Sequence, residues 1–116
     1  MSARVVNLWN FGTPSATATV DLGYRRPFLA WGAITFIDSL SVYDRDNAGC
    51  VEVYQVDGAT QWAAGWGGDH LGPQGADANL RPGAVRGFGR TVTFRLRSFH
   101  VEDLEHYGVG CVLTLD

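Results

Sequence analysis

The sequence predicts an all-β fold, a single antiparallel β-sandwich of jelly-roll-like layout with about six to eight strands. Three observations carry that expectation. Apolar and polar residues alternate with period two in several runs, as strands with one face in a core require; Gly, Pro, Asn and Asp separate those runs; and no stretch shows a helical period. At 116 residues the chain fits one domain, 1–116, long enough to bury a core without staples.

Residues 5–9 read as a first short strand, and Phe11-Gly12-Thr13-Pro14 turns the chain out of it, because proline fixes φ and cannot donate to a ladder. In residues 16–22, Ala18, Val20 and Leu22 alternate with Thr17, Thr19 and Asp21, which places the first set in the core and the second in water. Tyr24-Arg25-Arg26-Pro27 makes a polar corner. Residues 28–37 are the most apolar run, and near-continuous Leu29, Ala30, Trp31, Ala33, Ile34, Phe36 and Ile37 predict a strand covered on both faces. Gly32 in its middle marks a bulge or a close backbone approach. Residues 40–43 continue the extended chain, 44–49 turn it, and 50–56 return it as a β-hairpin with a longer loop. A tight turn at Asp57-Gly58 leads into residues 60–66.

From Gly65 to Gly87, seven glycines and two prolines predict a long irregular excursion, a kind of segment that in compact domains usually carries function. The last third is more regular. In 90–97, Val92, Phe94 and Leu96 share the inward face opposite Thr91, Thr93, Arg95 and Arg97. In 107–115, Tyr107, Val109, Cys111, Leu113 and Leu115 share one face, and the run is apolar enough to be central. Residues 99–106 between them form a polar surface crossing or a single helical turn.

Bulk chemistry excludes several classes of function. The formal charge is −3, all nine basic residues are arginine, and no basic field of the kind phosphate backbones need is present, so no nucleic-acid partner is expected. No stretch approaches the roughly 20 apolar residues that cross a bilayer, so no membrane partner is expected either. Without a long apolar leader, the chain reads as cytoplasmic or as a mature secreted fragment. Cys50 and Cys111 lie in strand-like runs, as buried thiols or as one bridge.

The strongest candidate site is Trp62-Ala63-Ala64-Gly65-Trp66-Gly67-Gly68-Asp69-His70. Indoles beside a glycine-rich turn, followed by a carboxylate and an imidazole, are the parts of a shallow sugar site, with aromatic faces for C–H patches and polar groups for hydroxyls. Asn79 and Arg86, further along the excursion, complete the candidate set with Trp62, Trp66, Asp69 and His70. Trp66 stacks in this scheme, while packing of both indoles beneath the loop is the alternative. Asp44-Arg45-Asp46-Asn47-Ala48-Gly49 echoes the opening of a calcium loop, with Asp44, Asp46 and Asn47 as ligands. Ala48 and Gln55 stand where that loop has an oxygen ligand and a bidentate glutamate, and an ordinary turn explains the same residues. Calcium is the one cofactor the sequence brings into question. No spacing around His70, His100 and His106 matches a zinc signature, and no serine or cysteine sits beside an evident base.

The order of an alternating strand at 92–97, a polar crossing containing Asp103, Tyr107-Gly108 and an apolar closing strand, together with the aromatic strand 28–36 and Leu40-Ser41-Val42-Tyr43, resembles H-type lectin-like domains. The resemblance implies a six- or seven-stranded sandwich, trimers or larger rings, and sugar recognition by loops near subunit contacts. It assigns no sugar-binding residue, and the insertion 65–87 departs from the family's compact layout. The expected function is therefore a carbohydrate-binding module without turnover, acting as a homo-oligomer. A structural protein that assembles through aromatic and arginine contacts is the alternative, and a small β-barrel enzyme using His70 and His106 the third.

Overall fold

The computed structural model describes residues 4–11, 15–38, 47–61, 65–70, 80–98 and 107–116. Among them are seven strands: β1 (Arg4–Phe11), β2 (Ser15–Asp38), β3 (Asn47–Val56), β4 (Ala59–Thr60), β5 (Gly65–His70), β6 (Leu80–Ser98) and β7 (Tyr107–Leu115). All pair antiparallel in the order β1-β7-β2-β6-β3-β4, and β5 joins β3 beyond β4 on the same edge. No described helix is long and apolar enough to cross a membrane. The all-β antiparallel expectation and its strand number are met.

Two long strands carry the sheet around a corner. β2 and β6 stay paired from Ser15↔Arg97 to Thr35↔Leu80, but between Asp21↔Thr91 and Arg26↔Gly89 four residues of β2 stand opposite the single Arg90. Polar groups hold this irregularity. Gly23, at φ 89°, donates its N–H to Asp21 Oδ1 at 2.7 Å, and Arg90 Nε donates to the same oxygen at 3.1 Å. The Arg4 guanidinium of β1 donates to the Asp21 carbonyl. From the other side, the β3–β4 turn presents the Asp57 carboxylate, which accepts the N–H groups of Thr91 at 2.9 Å and Arg90 at 3.1 Å. Hydrogen bonding to the charged form holds both carboxyls below the usual range: Asp57 chiefly through the Thr91 N–H, Asp21 chiefly through the Gly23 N–H.

The core lies between the two halves that the corner creates. Inward residues of the first half include Val6, Leu8, Phe28, Ile34, Val109 and Leu113, and of the second Val51, Val53, Val92, Phe94 and Leu96. The halves touch directly: the Phe28 and Phe94 rings meet edge to face at 6.3 Å, and a Cβ at Gly49 of β3 would lie 2.9 Å from Val109 Cγ1 of β7. Each of the larger side chains contributes about 1.5–3 kcal/mol by leaving water. Cys111 is among them, and burial pushes its thiol up to about 11, so it stays protonated and apolar at neutral pH. Both cysteines are free thiols.

Four expectations change. Residues 16–22 and 28–37 belong to one continuous strand, because Tyr24-Arg25-Arg26-Pro27 bends the chain within β2 instead of ending it. The supposed excursion 65–87 contributes β5 at one end and the start of β6 at the other; only 71–79 lie outside the described residues. Residues 40–46 also lie outside them, and the described partners of β3 are β4, β5 and β6. Finally, β2 is central, but among the described residues it is covered on one face only. Gly32 is the close approach the sequence suggested, since a Cβ there would meet the Val112 carbonyl of β7. On the outer side of the same strands, register aligns Val5, Thr114, Trp31 and Ala84 in one row, Asn7, Val112, Ala33 and Pro82 in the next, and Trp9, Gly110 and Thr35 in a third. None of these eleven residues is charged.

Candidate functional site

The outer face of the second half is different in kind. Alternation turns Val51 and Val53 of β3 inward and Cys50 and Glu52 outward, and in β6 it turns Phe94 and Leu96 inward and Arg95 and Arg97 outward. Register then sets Thr17, Arg95, Glu52 and Gly65 side by side, and next to them Ser15, Arg97, Cys50 and Gly67. Gly65 and Gly67 bring no side chain to the outer face of β5, so a trough opens beside Glu52 and Cys50. It is a groove of about 660 Å³, lined also by Tyr54, Thr60 and Gln61. Tyr54 stands at a register shift between Val53 and Gln55, and Gln61 N–H closes the hairpin by donating to the Tyr54 carbonyl at 2.9 Å.

Glu52 organises the groove's polar wall. Its carboxylate accepts from Arg95 Nη2 at 3.0 and 3.3 Å and lies 2.6 Å from Arg97 Nε. The Arg95 guanidinium in turn lies over the Tyr54 ring at 4.1 Å, so its position is fixed from two directions. Cys50 Sγ donates to Glu52 Oε1 at 3.5 Å. Loss of solvation pushes the Cys50 thiol up, and the adjacent Glu52 charge adds to that, while Arg97 opposes it. The thiol therefore remains protonated at neutral pH, the wrong state for a nucleophile. Two guanidinium donors, one carboxylate acceptor, a phenol, a hydroxyl and an amide converge on one open trough.

The predicted site residues scatter around this groove. Trp66 borders it, but its Cα pairs with Val51, and its indole lies across Gly83 of β6, where a Cβ would collide with the ring. Half-buried, it packs against the core. Asp69 and His70 extend β5 opposite Ala48 and Asn47, so the ladder brings the backbones of two separate candidate stretches together. Arg86 is exposed on the first half, opposite Leu29, away from the groove. Trp62, Asn79, Asp44, Asp46, His100 and His106 lie outside the described residues. Among the described residues, no group of three or more His, Cys, Asp or Glu side chains could hold a metal ion. Glu52, Tyr54, Arg95 and Arg97 went unnoticed as a site because each is an ordinary polar position of an alternating strand. Only the β3–β6 pairing makes them neighbours.

No family model and no curated protein matches the chain. Among solved structures it is similar to the crystal structure of the infectious bursal disease virus VP2 subviral particle, at 12% identity and a TM-score of 0.47, over 97% of this chain. The chain spans 32% of the length of that neighbour.

Proposed function

We propose that the protein is a carbohydrate-binding module without turnover, and that the sugar lies in the groove over Gly65 and Gly67. The observation that supports this is the preorganised wall Arg95–Glu52–Arg97 facing a floor with no side chains. A sugar ring presents hydroxyls that both donate and accept, and this wall offers a charged acceptor between charged donors, already held in place before binding. Gln61 and Thr60 supply further partners along the lining, and the backbone at Gly65 and Gly67 admits a flat ring edge close to the sheet. Cys50 is protonated at neutral pH, and the Glu52 carboxylate it donates to is already held by Arg95 and Arg97, which favours recognition over chemistry.

A glycan array, followed by calorimetry on any hit, tests the reading. Arg97→Gln, which keeps a polar hydrogen-bonding side chain but shortens it and removes its charge, is expected to weaken binding at least about tenfold while leaving the melting temperature within a few degrees. Arg86→Gln, on the other half, is expected to bind like the parent. A folded parent that retains no glycan refutes the reading, as does equal weakening by the two variants. Running the array with calcium and with chelator tests Asp44, Asp46 and Asn47 as ligands. Trp66→Ala is a poor probe here, since it opens a cavity beside Gly83 and reports on packing.

A further inference from the structure

We infer that the uncharged outer face of β1, β7 and β2 is where a second copy of this chain packs, face to face, to form a weak twofold dimer. Trp9 is 61% exposed, Trp31 38%, Val5 64% and Val112 56%, all on one continuous field. The two tryptophans together expose about one whole indole side chain, roughly 150–250 Å². With strands about 4.8 Å apart and side-chain rows about 6.8 Å apart, the field of four strands and three rows covers about 400 Å². That is at the size where an apolar patch on a soluble domain marks an interaction site, and about half of the ~800 Å² each partner brings to a standard interface.

The area therefore fits an association that depends on concentration and does not fit an obligate dimer. The chemistry selects the occupant. A charged partner surface would bury its charges against the middle of this field, where no residue pairs them, whereas a second copy meets an uncharged middle with its own; Arg86 and Asp116 stand in the next row, at the rim. The strand pattern agrees: residues 28–37 carry the composition of a strand covered on both faces, yet among the described residues no element covers the side that holds Trp31 and Ala33. Along this field β1 also ends the sheet, with no strand on its outer edge among the described residues. The groove lies on the other half's outer face and stays open in such a dimer, so this inference stands apart from the sugar reading.

Sedimentation velocity of the full chain from about 5 to about 500 µM, the range in which an interface of this size is partly formed, tests it. The parent's mass is expected to rise from 12.6 kDa towards twice that value. Val112→Glu, which sets like charges against each other in the middle row, is expected to stay monomeric throughout, a weakening of about 100-fold. Thr17→Glu, on the opposite outer face, is expected to associate like the parent. A parent that is monomeric at the highest concentration overturns the inference. So does unchanged association of Val112→Glu, or loss of association in Thr17→Glu alone. If Val112→Glu fails to fold, the milder pair Trp9→Thr and Val112→Thr, combined in one chain, is judged by the same criterion.

Discussion

One sheet presents two outer faces of opposite chemistry, and the same two strands build both. Before the corner β2 contributes Thr17 and Thr19, and after it Trp31 and Ala33; β6 contributes Pro82 and Ala84 first, then Arg95 and Arg97. On the polar face the side chains hold one another: Glu52 pairs with both arginines, Arg95 lies on Tyr54, and Thr19 and Thr93 share a hydroxyl hydrogen bond of 2.9 Å. On the uncharged face Trp9, Val5 and Val112 stand mostly in water. The core demands only that every second residue be apolar, and it is satisfied equally on both halves. Nothing in folding dictates which outer residues follow, so the difference between the faces reports on what each one meets.

The sharpest way to break the contrast is to remove Glu52. Glu52→Ala leaves two guanidinium groups facing each other, one of them on a side chain only 24% exposed. Breaking one side of a fully buried pair costs roughly 3–5 kcal/mol. Here Arg97 is 43% exposed and partly solvated, so the expected loss is about 2 kcal/mol, read as a lower urea midpoint at unchanged slope. Replacing Glu52, Arg95 and Arg97 together by threonine is expected to recover most of that loss, because no charge is then left unpaired. Recovery of stability without recovery of glycan binding would assign the cluster to recognition. A triple variant as unstable as the single would instead make the wall part of the scaffold.

The corner that separates the faces gives a smaller, pH-dependent effect. Asp57 and Asp21 have folded values below the ordinary carboxyl range, so each stabilises the fold above its unfolded value and loses that contribution as pH falls through the folded one. Their contribution is thus complete near neutrality and fades below about pH 4. Asp57→Asn, whose side chain still accepts and still tolerates the φ of 50°, is expected to lower the urea midpoint at pH 6, with the gap to the parent narrower at pH 3. A gap that persists unchanged at pH 3 would mean that the carboxylate charge does not hold the turn to β6.

Period two in the sequence was enough to orient Ala18, Val20, Val92, Phe94, Leu96, Val109, Cys111, Leu113 and Leu115 correctly, because facing direction is a local property of a strand. Strand order was not legible. β3 pairs with β6, about forty residues away, and β1 with β7 at the far end of the chain, contacts that no local pattern encodes. The site was missed for the same reason: Glu52 and Arg95 become partners only through that register. Glycine was misread too. Between 65 and 87 its abundance pointed to an irregular loop, but Gly65 and Gly67 are strand residues that leave a trough, and Gly83 makes room for the Trp66 ring.

The smallest expected effect completes the contrast. Trp9→Thr exchanges a large aromatic residue for a small one in the exposed edge strand β1, and threonine is a good strand former there. Since the indole is 61% exposed and outward, the monomer is expected to lose no more than about 0.5 kcal/mol, measured at a few micromolar where association is absent. At high protein concentration the same substitution is expected to lower the melting temperature relative to the parent, because a dimer stabilises its folded protomers by mass action. A loss of 2 kcal/mol or more in dilute solution would show that Trp9 packs within its own protomer, and the uncharged face would then belong to the fold and not to a partner.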